Sequence, residues 1–311
     1  MSEEAILRLT SKMGRLGLFC CLLLACSCGA PADAPPEELP PGTPVLWPLT
    51  IGLEEERPAE VRGPAGWTGT EALPVVFVLH GYGASATMQE TFVFRFTNRI
   101  ELDRFLLVLP EGATDSQGRQ FWNATDVCCD FDHSGIDDVG YLAGLLDELE
   151  SNYNIDSSRV YFTGHSNGGF MSYRMACEHP ERIAGILSLA GSSWGEPDDC
   201  RVGDPVSVLH VHGTEDDSVL YAGEENQPGA AEAAARWAER AGCDLSAANS
   251  ATPLDLVESV PGEETDVLQY RGGCLGGKVV DLWTVNETGH LPIFNTGFAD
   301  AAVPWLLARS L

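Results

Sequence analysis

Ser166 stands between two glycines in Gly164-His165-Ser166-Asn167-Gly168-Gly169, directly after the run Arg159-Val160-Tyr161-Phe162-Thr163. A serine hydroxyl is a weak nucleophile. It attacks a carbonyl carbon only when a base takes its proton and hydrogen-bond donors receive the developing oxyanion. The Gly-x-Ser-x-Gly spacing has a mechanical reason. A serine at a sharp strand-to-helix turn is held in strained backbone geometry, and glycines two residues to either side remove the clashes a Cβ would bring. The turn exposes Oγ, and the helix N-terminus behind it favours negative charge. The string alone is weak. Its place between a strand-like run and a helix-like stretch containing Met171, Met175 and Ala176 gives it weight.

On such a scaffold the acid and the base follow the serine in the order Asp or Glu, then His. Val208-Leu209-His210-Val211-His212-Gly213-Thr214-Glu215-Asp216 reads as a strand ending in an acidic turn, and Asp216 is the candidate acid, with Glu215 and Asp217 as neighbours able to take the part. Of the seven histidines only His290 lies beyond that strand, in Thr288-Gly289-His290, which makes it the candidate base. His210 and His212 are placed on a core strand or its end and His165 inside the turn, so none is given a catalytic part. Val78-Leu79-His80-Gly81-Tyr82-Gly83 supplies the fourth component, a buried strand opening into a glycine loop. The N–H groups of Tyr82 and Asn167 are the expected oxyanion donors. Trp122 falls in a segment at the carboxyl end of the sheet, where ligands bind in open α/β sheets, and is expected to wall an acyl or sugar pocket. The competing reading makes it a plug of the loop core beside Cys128 and Cys129. Asp130-Phe131-Asp132-His133-Ser134-Gly135 starts like a calcium loop, but Tyr141 occupies the twelfth position where a glutamate belongs. It reads as a solvated acidic loop, and the chemistry requires no metal or cofactor.

Positioning these groups requires strands and helices in alternation. Val75–Leu79, Phe105–Leu109, Val160–Thr163, Ile183–Leu189, Val206–Val211 and Val279–Val285 are continuously apolar, as strands buried on both faces should be. Asp137–Leu149 and Ala230–Ala241 read as helices between them. The expected architecture is α/β, a mostly parallel sheet with helices on both faces, in one catalytic domain over 49–311. The 311 residues are 44% hydrophobic and 21% charged, a globular balance that excludes collagen-like, disordered and multi-span membrane classes. Eighteen Lys and Arg against 46 Asp and Glu give a net charge of −28, which repels phosphate backbones and excludes nucleic acid as a partner.

The N-terminal residues read as targeting. Lys12 and Arg15 precede an apolar run, Leu16 to Ala25, too short to span a bilayer, and translation starts at either Met1 or Met13. Leu23-Leu24-Ala25-Cys26 resembles a bacterial lipobox, with residues 1–25 as signal peptide and Cys26 as the lipidated residue; an unprocessed apolar anchor and simple secretion with cleavage near Ala30 are the alternatives. Residues 26–48, rich in Pro, Ala and Glu, read as a flexible tether. The expected location is extracellular or periplasmic, with membrane contact only through the N-terminal lipid. The six cysteines beyond this region suit disulfides in an exported domain. Cys243 and Cys274 are expected to pair, since one ends a helix and the other precedes the next core strand. Cys177 and Cys200 are left to meet Cys128 and Cys129, because neighbours in sequence close only a strained ring.

His80-Gly81-Tyr82-Gly83, Pro110-Glu111-Gly112, Phe121-Trp122-Asn123, Cys128-Cys129, Gly135-Ile136-Asp137-Asp138-Val139, the Ser166 turn, His212-Gly213-Thr214-Glu215-Asp216 and Gly289-His290 occur in this order. Over about residues 55–309 the chain resembles the polyhydroxybutyrate depolymerase and feruloyl esterase family of secreted α/β-hydrolases. The resemblance implies a carboxylic-ester hydrolase without a large cap domain, using Ser166, Asp216 and His290. Its substrates would be polyhydroxybutyrate-type oligomers or feruloyl and acetyl esters of polysaccharides. The chain departs from many members at Leu291-Pro292-Ile293, where they carry Trp-Pro, so an aromatic contact there is not carried over. A serine peptidase of the same fold and a non-catalytic surface lipoprotein are the rival readings.

Overall fold

In the computed structural model of the protein, residues 42–53, 57–200 and 203–311 are described. The signal-like segment, Cys26 and most of the tether lie outside them. The described chain is organised by β3 (Leu73–Leu79) and β5 (Ile155–His165), two neighbouring parallel strands at the middle of a ten-stranded sheet. All seven residues of β3 are buried, and its side chains alternate between two separate cores. Val75, Phe77 and Leu79 enter one; Val76 and Val78 enter the other. A strand covered on both sides is continuously apolar for this reason, with the twofold alternation deciding only which core each residue joins.

Around this centre lie β1 (Leu49–Ile51), β2 (Ala59–Arg62), β4 (Leu106–Leu109), β6 (Gly185–Leu189), β7 (Ser207–Gly213), β8 (Asn249–Ser250), β9 (Thr265–Tyr270) and β10 (Val280–Val285). Their order across the sheet is β1-β2-β4-β3-β5-β6-β7-β10-β9-β8. The six strands from β4 to β10 pair in parallel. The outer strands on both edges pair antiparallel. Helices α1 (Asp138–Asn152), α2 (Asn167–Glu178) and α3 (Ala230–Arg240) cover one face. Helix α4 (Thr296–Leu307) and the short helical turns between Ala86 and Asp103 cover the other. The mostly parallel sheet with helices on both faces is as expected, and the described residues from 42 onward form one compact unit. The sequence pattern missed the antiparallel edges and α4. The edge strands β1, β2 and β8 run only two to four residues, and α4 carries Pro304 within it.

The far end of the tether is corrected. The chain has joined the domain by Val45, whose N–H donates to the Trp67 carbonyl at 2.8 Å, and Trp47 stacks on Trp67 with ring centroids 5.8 Å apart. An indole pair buries too much apolar surface to be left on a free linker.

Disulfides join Cys243 to Cys274, Cys177 to Cys200 and Cys128 to Cys129. The last two pairings correct the expectation that Cys128 and Cys129 meet Cys177 and Cys200. Cys128 Sγ lies 3.5 Å from Asn167 Nδ2, at the first residue of α2, whereas Cys177 sits in that helix's last turn. Ten helical residues separate the two ends by about 15 Å, beyond the Cα–Cα reach of about 7 Å that a disulfide allows. Cys177 instead finds Cys200 at a Cα–Cα distance of 5.3 Å. The Cys243–Cys274 bridge spans 31 residues from the end of α3 to the approach of β10. Closing a loop of that length is worth about 3–4 kcal/mol in the chain-entropy account. The double variant Cys243→Ser, Cys274→Ser should lose about that much stability in denaturant titration, at unchanged m-value.

Candidate active site

Ser166 sits between the last residue of β5 and the first of α2, with φ 53° and ψ −121°. A non-glycine residue at such angles is strained, and the surroundings hold it there. Its N–H donates to the Leu189 carbonyl at 2.8 Å, locking the turn to β6. A Cβ on Gly164 would lie 2.2 Å from the Gly168 backbone, and one on Gly168 would lie 2.3 Å from the Leu79 carbonyl oxygen. Both glycines are therefore required because helix and strand backbones touch here. Asn167 opens α2, so its N–H is among the donors an α-helix cannot satisfy internally. In the facing loop, Gly81 N–H donates to Gln89 Oε1 and Gly83 N–H to the Gln120 carbonyl. The intervening Tyr82 N–H has no acceptor among the described residues. The Tyr82 side chain faces outward from this backbone, its hydroxyl bonded to Asp115 and its ring edge-on to Phe131.

Asp216 follows β7 and His290 follows β10, the strand beside it in the sheet. His290 Nδ1 donates to Asp216 Oδ2 at 2.8 Å. Glu215 and Asp217 are both exposed, while the Asp216 side chain is fully buried, so the three acids are separated by burial and by this bond. Burial alone would raise the Asp216 carboxyl. His212 and His290 and the N–H groups of Val219 and Ser218 overcome it and hold the group well below the usual carboxylate range. The carboxyl is thus held in its ionised form more firmly than an ordinary one. His165 is buried beneath His290, donating from Nε2 to the His290 carbonyl at 3.0 Å with ring centroids 4.8 Å apart. Burial and the neighbouring His290 lower its pKa to about 4, so it is a neutral prop. Ser166 thus adjoins the Asp216–His290 pair through its chain neighbour His165. No hydrogen bond joins Ser166 Oγ to His290 among the described residues, and such catalytic contacts commonly tighten only around bound substrate.

Trp122 is corrected as a pocket wall. It is 0% exposed, and its Nε1–H donates to the His80 carbonyl at 3.0 Å. A side chain with no open face offers nothing to a ligand. Its backbone, moreover, is clasped by the Asn167 side chain, which accepts from Trp122 N–H at 2.7 Å and donates to its carbonyl at 2.8 Å. The segment that carries Trp122 is held in turn by Asp138, which accepts from Asn123 N–H at 2.7 Å and from Arg57 at 2.6 Å. The sequence reading missed the Asn167 side chain in this role. It assigned the backbone of Asn167 a part, and nothing local distinguishes a side chain that turns back to bind a loop 45 residues away. It also passed over His212, which lies 3.1 Å from Asp216 Oδ2. Asp130 turns both oxygens on the N–H groups of Ser134 and Gly135, at 2.9 and 2.7 Å, closing its own loop.

A family model described as putative esterase matches residues 51–252, more than half of the chain. Among curated relatives, feruloyl esterase B of Piromyces equi is 28% identical over 242 residues, covering 74% of this chain and 42% of its own length. The putative esterase NocK of Nocardia uniformis subsp. tsuyamanensis is 29% identical over 227 residues, covering 65% of this chain and 64% of its own. The chain thus spans less than two thirds of either relative. An acetyl xylan esterase from Aspergillus awamori superposes with a TM-score of 0.56 at 17% identity, covering 81% of this chain and 94% of that one. At that identity the likeness concerns the fold, which is that of the α/β-hydrolases.

As a buried strut, Trp122 should matter equally to every substrate. Trp122→Phe removes the donor to a buried carbonyl, at a cost of about 1–3 kcal/mol. We expect a lower Tm and the same fractional loss of kcat/KM on acetyl and feruloyl esters, checked by calorimetry and parallel kinetics. A loss concentrated on the bulky ester would restore the wall.

Proposed function

The chain belongs to the putative esterase family, and from that premise we propose that it is an exported serine carboxylic-ester hydrolase working through Ser166, His290 and Asp216. The observation that carries this reading is the 2.8 Å bond from His290 Nδ1 to a buried, ionised Asp216, beside a strained Ser166 turn. With the proton of the imidazole committed to Nδ1, Nε2 is left as the base. It takes the Ser166 proton as Oγ attacks the ester carbonyl, and the N–H groups of Tyr82 and Asn167 receive the oxyanion. The protonated His290 then gives that proton to the departing alkoxide oxygen, leaving an acyl-serine and a free alcohol. Water, deprotonated by the same Nε2, attacks the acyl carbon, and the proton returns to Oγ as the acid leaves.

The substrates we propose are hydroxycinnamoyl or acetyl esters of polysaccharides, or short hydroxyalkanoate oligomers, in keeping with relatives that are a feruloyl esterase, a bifunctional acetylxylan esterase/xylanase and a poly(3-hydroxyalkanoate) depolymerase. Leu291 and Ile293 follow His290 in the chain and are more than half exposed, which supports a rim that receives an apolar part of the substrate at the surface. Export is supported by three disulfides, which form and persist mainly in oxidising compartments. Attachment through a lipid on Cys26 belongs to the same proposal, and metabolic labelling with palmitate should be lost in Cys26→Ala if it is right.

Ser166→Ala should abolish both fluorophosphonate labelling and hydrolysis of chromogenic acetyl, butyryl and feruloyl esters, by about 10³-fold or more, without loss of Tm. Asp216→Asn should fall nearly as far by stranding the imidazole in the wrong tautomer, while Glu215→Gln and Asp217→Asn stay near wild type. Anilide hydrolysis with no ester hydrolysis would move the protein to the peptidases, and a clearing zone on polyhydroxybutyrate would select the polyester among the substrates.

A further inference from the structure

Behind Asp216 lies a line of buried polar side chains that the proposed mechanism does not use. Tyr173 Oη is 2.8 Å from His210 Nδ1, His210 Nε2 is 3.0 Å from His212 Nδ1, and His212 Nε2 is 3.1 Å from Asp216 Oδ2. All three side chains are essentially inaccessible to solvent. His210 and His212 point to the same face of β7, two residues apart, and Tyr173 lies on α2, seven residues after Ser166.

Proton counting allows one arrangement. His212 Nε2 faces two groups that can only accept, the Asp216 carboxylate and the Val219 carbonyl at 2.8 Å, so it carries a proton. Burial and the adjacent His212 push the His210 pKa well down, so His210 is neutral and holds one proton. Burial raises the Tyr173 pKa, so the phenol keeps its own and needs an acceptor, which His210 Nδ1 provides. The His210 proton is then on Nε2 and donates to His212 Nδ1, leaving His212 neutral as well. Every member is satisfied, the condition under which a buried polar network specifies a single arrangement.

We propose that His212 is a positioning residue for the Asp216–His290 pair, fixed in its Nε2–H tautomer by a buried relay from Tyr173 through His210. The proposal rests on the functional reading above in taking that pair as the working acid and base. Asp216 Oδ1 is anchored by the N–H groups of Ser218 and Val219, each at 2.9 Å, and Oδ2 is shared between His290 on the open side and His212 on the core side. The second imidazole stops the carboxylate from following His290 outward and takes part of its accepting capacity. The titratable groups facing His290 are Asp216 and His212 from the end of β7 and His165 from the end of β5. Without the His212 donor the whole charge of Oδ2 falls on His290, stabilising the imidazolium. Because Tyr173 rides on the helix that Ser166 begins, the same line ties the nucleophile's helix to the acid's loop.

The test uses the full chain with ¹⁵N-labelled histidine and a small chromogenic ester. At pH 7 both His210 and His212 should show the Nε2–H tautomer by imidazole NMR. His212→Phe, which has no donor, should lower kcat by about tenfold with KM within about twofold, and raise the acid limb of kcat/KM by about 0.5 pH unit. His212→Gln restores an N–H near the same place and should recover most of both. Tyr173→Phe deletes only the hydroxyl and should shift the limb in the same direction by less, while releasing His210 from its single tautomer. This near-isosteric variant decides the matter if His212→Phe does not fold. A protonated Nδ1 on His210 or His212 in the wild type would overturn the proposal. So would unchanged kcat and pH profile in His212→Phe, or in Tyr173→Phe if only that variant folds, and so would equal losses in the Phe and Gln variants. A wild-type chain inert toward every ester would instead sink the functional reading, and the tautomers would still report on the relay.

Discussion

The contact between two backbones at the Ser166 turn is the constraint on which the site depends. Gly168 packs against the carbonyl of Leu79 and Gly164 against Gly168, at separations that would leave a Cβ 2.2–2.3 Å from backbone atoms. The close approach brings α2 down onto the centre of the sheet. It forces Ser166 into φ 53° at the start of the helix. Strain of this kind costs on the order of 1–3 kcal/mol and persists only where packing over-determines it. Here the over-determination is visible in the Ser166 N–H bond to Leu189 and in the apolar helix face, with Phe170, Met171 and Met175 buried in one core.

The loop from Phe121 to Cys129 behaves as a scaffold for that turn. Asn167 grips the backbone of Trp122, and Trp122 reaches the carbonyl of His80 at the end of β3. The His80 ring is neutral, burial having lowered its pKa to about 4, and it accepts the Gly112 N–H at 2.9 Å. Arg57 and Asp138 secure the loop from the outside and the Cys128–Cys129 bridge abuts the Asn167 amide. The ordered motifs that carry the family resemblance are largely these supports. They describe how the Ser166 turn is braced more than what is bound beside it, which is why they mark a family and leave the acyl group open.

Charge is handled differently at the surface and in the site. The sequence carries a net charge of −28, and most of its described carboxylates are at least partly exposed, whereas Asp216 is buried, with four donors arranged about its two oxygens. A buried carboxylate is tolerable only with such compensation. The donors come from its own turn, from the strand that precedes it and from His290 after β10. Asp216 and His290, 74 positions apart in sequence, are consequently made neighbours by the parallel pairing of β7 with β10.

By itself the sequence determined the central strands, the α/β class, the Ser166 turn and the chain order of Asp216 and His290. Each rests on a local rule: continuous apolar runs for doubly covered strands, glycines flanking a serine where backbones touch, and one histidine downstream of the last candidate acid. Only the tertiary structure decided the rest. Trp122 became a strut because its indole finds a carbonyl 42 residues away; Cys177 was denied Cys128 by the length of α2; Trp47 left the tether to stack on Trp67. The same holds for His210 and His212, which look like strand residues by spacing and take on a role only where Tyr173 and Asp216 meet their two ends. Partners distant in sequence leave no periodic trace, since a hydrogen bond or disulfide constrains geometry at two points and the pattern of residues at neither.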